Sequence, residues 1–241
     1  MTIYEVLPQP QAYGYEVGVL LLNFLEPHVP GDTAHAGTYE FPVLFKVVET
    51  ASVDAITNGD LSVTGQLIEA AQELERSGVK AISSNCGFML HYHEAIRAAV
   101  SIPVFTSSLL QLPLIARTIR PDQKIAVLTA FKHRLTSEML ALSGLPLDAK
   151  VVTESIETTV EFQNLSSLPM DTESFRSRLE EAMARLLEAN DDIGAILLEC
   201  AIFTPYAAPL QRKFNLPVYD FVSLINFAQS VVSRRSYPGI G

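Results

Sequence analysis

Basic residues are scarce in this chain. Lys and Arg number 17 against 27 Asp and Glu, a formal charge of -10 over 241 residues. Non-specific binding to nucleic acid or to an anionic membrane needs basic patches, and the chain offers no basic run longer than a doublet such as Arg234-Arg235. No nucleic-acid or membrane partner is therefore expected. The first residues carry no basic region and no apolar run before Pro8, so no secretory leader is expected. No apolar stretch reaches the length of a membrane span. These absences predict a cytoplasmic protein. Neither Gly-x-Gly-x-x-Gly nor Gly-x-x-x-x-Gly-Lys occurs, which leaves a nucleotide cofactor without support. There are two cysteines and no Cys-x-x-Cys. That disfavours thioredoxin-like redox chemistry, a structural disulfide and a four-ligand zinc site alike. No metal and no cofactor are expected.

The two cysteines that are present occupy matching places. Cys86 lies in VKAISSNCGF (79–88) and Cys200 in IGAILLECAI (193–202). A shift of about 114 positions lays one run on the other without a gap. Ala81 then meets Ala195, Ile82 meets Ile196, Tyr92 meets Tyr206, Pro103 meets Pro217 and Leu110 meets Leu224. Each half of the chain brings one thiol to the same point of the same local pattern.

Short apolar runs alternate with amphipathic stretches, the mark of an α/β fold. Strands are predicted at 16–23, 79–84, 103–106, 124–129, 150–156, 195–198 and 217–219. Most are continuously apolar, as parallel strands buried on both faces are. Helices are predicted at 61–76, 91–100, 109–119, 172–189, 205–214 and 223–233. In the first of these, Leu61, Gly65, Ile68, Ala71 and Leu74 form the inward face, with Asp60 as cap and Gly78 as stop. The expected architecture is two similar parallel-sheet α/β domains about a pseudo-two-fold axis, with the site at their interface. The first domain spans 1–105 and is completed by a C-terminal helix at 221–241; the second spans 106–220. The helix at 109–119 is read as an exposed apolar face, which makes a homo-oligomer, plausibly a dimer, the expectation. The longest irregular stretch, 25–41, follows the first strand, and loops of that length are often functional.

Both cysteines stand just beyond the C-terminal end of a predicted buried strand, where open α/β sheets bind ligands. Each also precedes a helix, whose free amides favour anions and lower a thiol's pKa. A thiolate and a thiol on opposite faces of one carbon remove and return a proton, and so invert its configuration. The runs that carry this pattern, including SNCGF (84–88), KIAVLT (124–129) and LECAIFTPY (198–206), resemble the aspartate/glutamate racemase superfamily. Its branches include amino-acid and hydantoin racemases, maleate isomerases and arylmalonate decarboxylases. The resemblance implies two pseudo-symmetric domains, a cofactor-independent site, and Cys86 and Cys200 as the acid/base pair. By position it also implies that Asn23, Asn85, Gly87, Thr129 and Ala201 contact a small carboxylate or carbonyl substrate. Glutamate racemases tend to show Asn-Thr and Thr-His after the two cysteines. Here Gly87-Phe88 and Ala201-Ile202 stand there, which favours a hydantoin-type or other less polar substrate over glutamate or aspartate.

The leading expectation is a racemase or epimerase acting on a carbon next to a carboxylate or carbonyl. Alternatives are a maleate-type cis–trans isomerase, an arylmalonate-type decarboxylase, and a ligand-binding regulatory domain. Glu199 precedes Cys200, and a carboxylate there is expected to oppose thiol ionisation. His28 and His35 lie in the long loop and His133 follows a strand end. Tyr92 and Tyr206 recur in the repeat as packing residues or interface phenols.

Overall fold

The computed structural model describes residues 12–167 and 169–236. Among them are two four-stranded, wholly parallel sheets. The first comprises β1 (Val17–Leu22), β2 (Val43–Val48), β3 (Ala81–Ser84) and β4 (Val104–Phe105), in the order β2-β1-β3-β4. The second comprises β5 (Lys124–Thr129), β6 (Lys150–Ser155), β7 (Ile193–Leu198) and β8 (Val218–Tyr219), in the order β6-β5-β7-β8. The α-helices are α1 (Val53–Thr57), α2 (Thr64–Arg76), α3 (His93–Ala99), α4 (Leu112–Thr118), α5 (Ser137–Ala141), α6 (Val160–Gln163), α7 (Thr172–Ala189), α8 (Ala207–Phe214) and α9 (Phe221–Val232).

The register repeats with the sequence. Ile82 pairs with Val104 and Ser83 with Phe105; about 114 positions on, Ile196 pairs with Val218 and Leu197 with Tyr219. The central strands are buried throughout: Ile193–Leu198 has no exposed position, and Ala81–Ser84 none. Parallel sheets covered by helices on both faces require this apolar continuity. Helix α7 presses Phe175, Leu179, Ala182, Met183 and Leu186 into the second sheet, and the Asp171 side chain caps it by accepting from the amides of Glu173 and Ser174. Helix α4 packs on β5, and α9 returns to cover β1, β3 and β4. An Asp220–Ser223 capping box starts α9.

Three expectations need correction. The first sheet has a strand, Val43–Val48, that the sequence reading left out. It is an edge strand, half-buried, with Lys46 paired to Glu73 at 2.5 Å, so its burial pattern lacks the apolar continuity used to find the others. It gives the first half the same strand set as the second. Residues 61–63 form a 3-10 turn capped by Asp60, and only then does α2 begin. Its inward face is Leu67, Ala70, Ala71 and Leu74, leaving Leu61 exposed. Gly78 does end this region, at φ +85°. Finally, Leu109, Leu112 and Ile115 are fully buried, so 109–119 presents Leu114 rather than an apolar face. No helix among the described residues is long and apolar enough to cross a membrane.

Candidate active site

Beyond β3 and β7 the chain does the same thing twice. Each strand ends directly before a residue–Cys pair, and a 3-10 turn follows: Gly87–Tyr92 after Cys86, Ala201–Tyr206 after Cys200. The two turns meet head to head. The backbones of Cys86 and Cys200 form an isolated antiparallel bridge between the two halves. Both cysteines are free thiols, each partly open to a cavity of about 100 Å³ between the halves.

The cavity wall is apolar and aromatic. Phe24, Phe88, Phe131 and Phe162 line it with Leu22, Val53, Leu165 and Ile202; its polar lining is Asn85, Thr57, the two thiols, Glu26 and Glu199. No Lys, Arg or His is among these described lining residues. Phe131 holds the wall together by edge contacts, 5.7 Å to Phe162 and 6.4 Å to Phe88 between ring centroids. Arg134 lies over the outer side of Phe131, 5.0 Å from its centroid. It reaches across to the first half, donating to Thr57 and, at 3.0 Å, to Asp54.

The residue before each cysteine ties its turn to the neighbouring strand end. Asn85 Oδ1 accepts from the Leu22 amide at 3.0 Å. Glu199 Oε2 accepts from the Ala130 amide at 3.1 Å and from Thr129 Oγ1 at 2.9 Å. Glu199 is fully buried. Gly87 leaves room for it: a Cβ there would lie 2.3 Å from Glu199 Oε1. Burial drives the Glu199 carboxyl up to about 7, against the stabilising amides of Ala130 and Gly87 and the Thr129 hydroxyl. The turns are also cross-braced, Ser107 Oγ donating to the Gly87 carbonyl at 2.6 Å and Ser108 Oγ to the Glu199 carbonyl at 3.1 Å.

The structure corrects the expectation that the turns lower the thiols' pKa. Burial raises Cys86, the Glu199 carboxylate raises it further, and the amides of Phe88 and Met89 only partly oppose this. Cys200 is raised likewise, by burial, then Glu199 and Glu26, against the Ile202 amide. Both groups rest as thiols. The amides do act as expected; desolvation outweighs them.

Of the residues named from sequence, Cys86, Asn85 and Cys200 line the cavity. Gly87 and Thr129 stand behind it, against Glu199. Ala201 is buried in its turn and Asn23 is exposed, its amide donating to the Glu49 carbonyl and carboxylate at 2.9 and 3.3 Å. His133 pairs with Glu157 at 3.3 Å on the surface, and His35 accepts from the Gly37 amide at 3.1 Å. Tyr92 donates to the carbonyls of Ala55 and Asp60 at 3.2 and 3.0 Å, inside the first half. Tyr206 stacks on Phe175 at 5.4 Å. These two tyrosines pack rather than line the cavity. Sequence reading missed Glu26, Phe131, Phe162 and Arg134. All four sit in loops or short elements, where no periodicity marks a side chain's direction.

Comparison with known proteins places the fold. The chain is 29% identical over 221 residues to dimethylsulfoniopropionate lyase 3 of Emiliania huxleyi, a match covering 87% of this chain and 58% of that protein. It thus spans somewhat over half the length of that relative. Allantoin racemase from Klebsiella pneumoniae superposes with a TM-score of 0.64 at 17% identity, over 90% of this chain and 88% of that one. Unliganded arylmalonate decarboxylase superposes with a TM-score of 0.61 at 18% identity, over 94% and 97%. Both solved structures share the two-domain α/β architecture. With residues 39–225 matching the model of the Asp/Glu/Hydantoin racemase family, and two strand-end cysteines paired backbone to backbone between its halves, the chain belongs to that family.

Proposed function

We propose that the protein is a cofactor-independent carbon-acid enzyme in which Cys86 and Cys200 take and give a proton at the carbon next to a carboxylate. The observation that carries this is the antiparallel bridge between the two cysteines at the floor of the cavity. Two thiols held so address one small substrate from two sides. The amides that open the two turns supply hydrogen-bond donors for a carboxylate where no basic side chain lines the wall.

Within that chemistry the wall favours a lyase acting on a carboxylate that also carries an onium group. Aromatic faces and buried carboxyls attract an onium cation, and the cavity presents four phenylalanines with Glu26 and Glu199. The curated relatives named for dimethylsulfoniopropionate support the same substrate class. In a β-sulfonio carboxylate, the bound onium charge opposes the burial and the carboxylates that hold the cysteines protonated, one thiol gives its proton to water, and the resulting thiolate removes the proton α to the carboxylate. The electron pair of that C–H bond becomes the C=C bond, and the C–S bond breaks with its pair going to sulfur. A thioether and an unsaturated acid leave.

Racemisation is the second reading, favoured by the symmetry of the thiol pair and by the fold shared with allantoin racemase. Incubation with dimethylsulfoniopropionate, following dimethyl sulfide by gas chromatography and acrylate by NMR, tests the lyase. A parallel panel of chiral hydantoins, amino acids and dicarboxylates in deuterated water tests exchange at one carbon. Thioether release is expected with the first. Exchange with the panel and none with the sulfonium compound would transfer the reading to a racemase. Neither result, with intact folded protein, would sink the carbon-acid proposal.

A further inference from the structure

Away from the thiol pair, one cluster holds more negative charge than its hydrogen bonds account for. It lies in the loop after β1. Asp32 is 1% exposed; its Oδ1 accepts from the Ala34 amide at 2.7 Å, while Oδ2 finds no hydrogen-bond partner among the described residues. A carboxylate oxygen orphaned in the interior is uncommon in folded proteins, and a bound water or ion is its usual partner.

Two further side chains bring ligand atoms to the same place. His28 Nδ1 lies 3.2 Å from Asp32 Oδ1, and Glu26 Oε1 lies 3.9 Å from the same nitrogen. One ligand atom from each of the three lies within 4.8 Å of the others. Hydrogen bonding cannot satisfy this arrangement. An imidazolium carries a single proton on Nδ1, and that proton points at one oxygen, so the other carboxylate is left facing the ring nitrogen without it. A neutral ring with Nδ1 bare turns a lone pair on both. Two carboxylates beside one imidazolium also leave a net negative charge, although the Glu26 side chain is only 13% exposed and that of Asp32 1%.

A divalent cation satisfies all three groups at once. Metal–ligand bonds of about 2.0–2.2 Å place neighbouring ligand atoms about 3.0–3.5 Å apart. The 3.2 Å separation falls in that range, and the 3.9 Å one needs only a small approach by Glu26. The ligand set also names the class of ion. Calcium and magnesium take oxygen ligands, whereas an imidazole nitrogen with carboxylate oxygens suits zinc and its first-row neighbours. The four-ligand Cys/His zinc pattern that the sequence lacks is a different kind of site. This one has three protein ligands and an open position, and it is built in an irregular loop where no spacing announces it.

We propose that Glu26, His28 and Asp32 form a site for Zn²⁺ or a similar first-row divalent cation, which braces the loop after β1 and fixes Glu26 on the cavity wall. The loop already holds Asp32 in place. The Asp32 carbonyl accepts from Thr38 Oγ1 at 2.7 Å, and Thr38 Oγ1 accepts from the Gly31 amide at 3.0 Å. Thr204, in the turn after Cys200, donates to the Gly31 carbonyl at 2.6 Å. Gly31 sits at φ +97°, and a Cβ there would lie 3.1 Å from Pro205 Cα. Asp32 is thus anchored to the second half, while Glu26 lines the cavity with the two cysteines. The ion joins these two points. It takes no part in proton transfer at the thiols, so the site stands or falls apart from the reaction that they perform.

The test is zinc binding by the full chain after treatment with a chelator, read by equilibrium dialysis and elemental analysis. One equivalent per chain is expected. The same is expected of the Cys86→Ser/Cys200→Ser double variant, which removes the other soft ligands near the cavity. His28→Ala should weaken binding by more than about 10²-fold, as loss of one of three ligands does. Zn²⁺ should also raise the melting temperature of the native protein and leave that of His28→Ala unmoved. Should His28→Ala fail to fold, Glu26→Gln takes its place with the same expectation. Co²⁺ as a spectroscopic probe of the native protein should give visible ligand-field bands without a thiolate-to-cobalt charge-transfer band. Absence of binding overturns the site, as does binding that the loop variants leave unchanged. Binding lost with the cysteines, or a thiolate band with Co²⁺, places the ion on the thiols and overturns it equally. Mg²⁺ bound as tightly as Zn²⁺ would show a general acidic patch in which the imidazole has no part, and that too ends the proposal.

Discussion

The turn after β3 and the turn after β7 share a backbone and differ in charge. In both, the residue before the cysteine accepts a hydrogen bond from the end of the neighbouring strand, Asn85 from Leu22 and Glu199 from Ala130. The mechanical task is the same. The electrical one is not, because Asn85 is neutral and Glu199 is an acid in a dry site. The pair extends across the interface: Gly87, next to the first cysteine, is the cavity that the second half's Glu199 fills. Duplicated geometry therefore sets where the two thiols stand, and Glu199, contributed by one half only, adds to the burial that raises them both.

Removing the thiols should have the largest effect on this comparison. Cys86→Ala and Cys200→Ala are each expected to lower kcat/KM by about 10³-fold on whichever probe the native protein turns over. Steady-state kinetics on both variants would show it. Retention of native activity by one of them would mean that the halves share a shape but not a task.

Glu199→Gln keeps the hydrogen-bonding shape and removes the charge. In the native state Glu199 holds its proton up to about pH 7, while an unfolded carboxyl releases it near its ordinary value of 4.5. Between those values the folded form binds more protons, so native stability falls as pH rises. The variant lacks that loss, and its advantage should grow to about 3 kcal/mol by pH 7, with Glu26 leaving a residual slope in both proteins. Urea unfolding at several pH values measures this. Alkylation of both cysteines should also move to lower pH in the variant, and an unmoved profile would separate Glu199 from the thiols electrically.

Gly87→Ala is expected to cost about 1–3 kcal/mol, since the new methyl meets the Glu199 carboxyl. Adding Glu199→Ala should recover most of it, and thermal melts of the single and double variants would reveal the coupling. Asn85→Ala should cost least, about 1 kcal/mol for the lost acceptor of the Leu22 amide. Equal losses from Asn85→Ala and Glu199→Ala would contradict the assignment of a charge-based role to Glu199 alone.

Much of this molecule could be read from its residues. The strands around both cysteines were legible because parallel strands covered on both faces must be continuously apolar, and the repeat placed the thiols in matching register. The edge strand Val43–Val48 escaped because its half-exposed positions and Lys46 dilute that signal. The inward face of α2 was misplaced because its first turn is 3-10, which shifts the helical phase. In the site, Cys86 and Cys200 were legible from the repeat, and Asn85 from the resemblance. Asn23 stands at the expected strand end but turns to Glu49, and Phe131, Glu26 and Phe162 come from loops and the four-residue helix α6, too short for a period to encode direction.

The sequence by itself determined the strand–cysteine–turn unit and its duplication, since apolar continuity and residue spacing are local properties of the chain. Tertiary structure decided the rest. Only the meeting of the two halves shows that both cysteines open on one cavity and that Gly87 leaves room for Glu199. It also shows that burial, a property of everything packed around a group, overrides the turn amides and leaves both cysteines protonated.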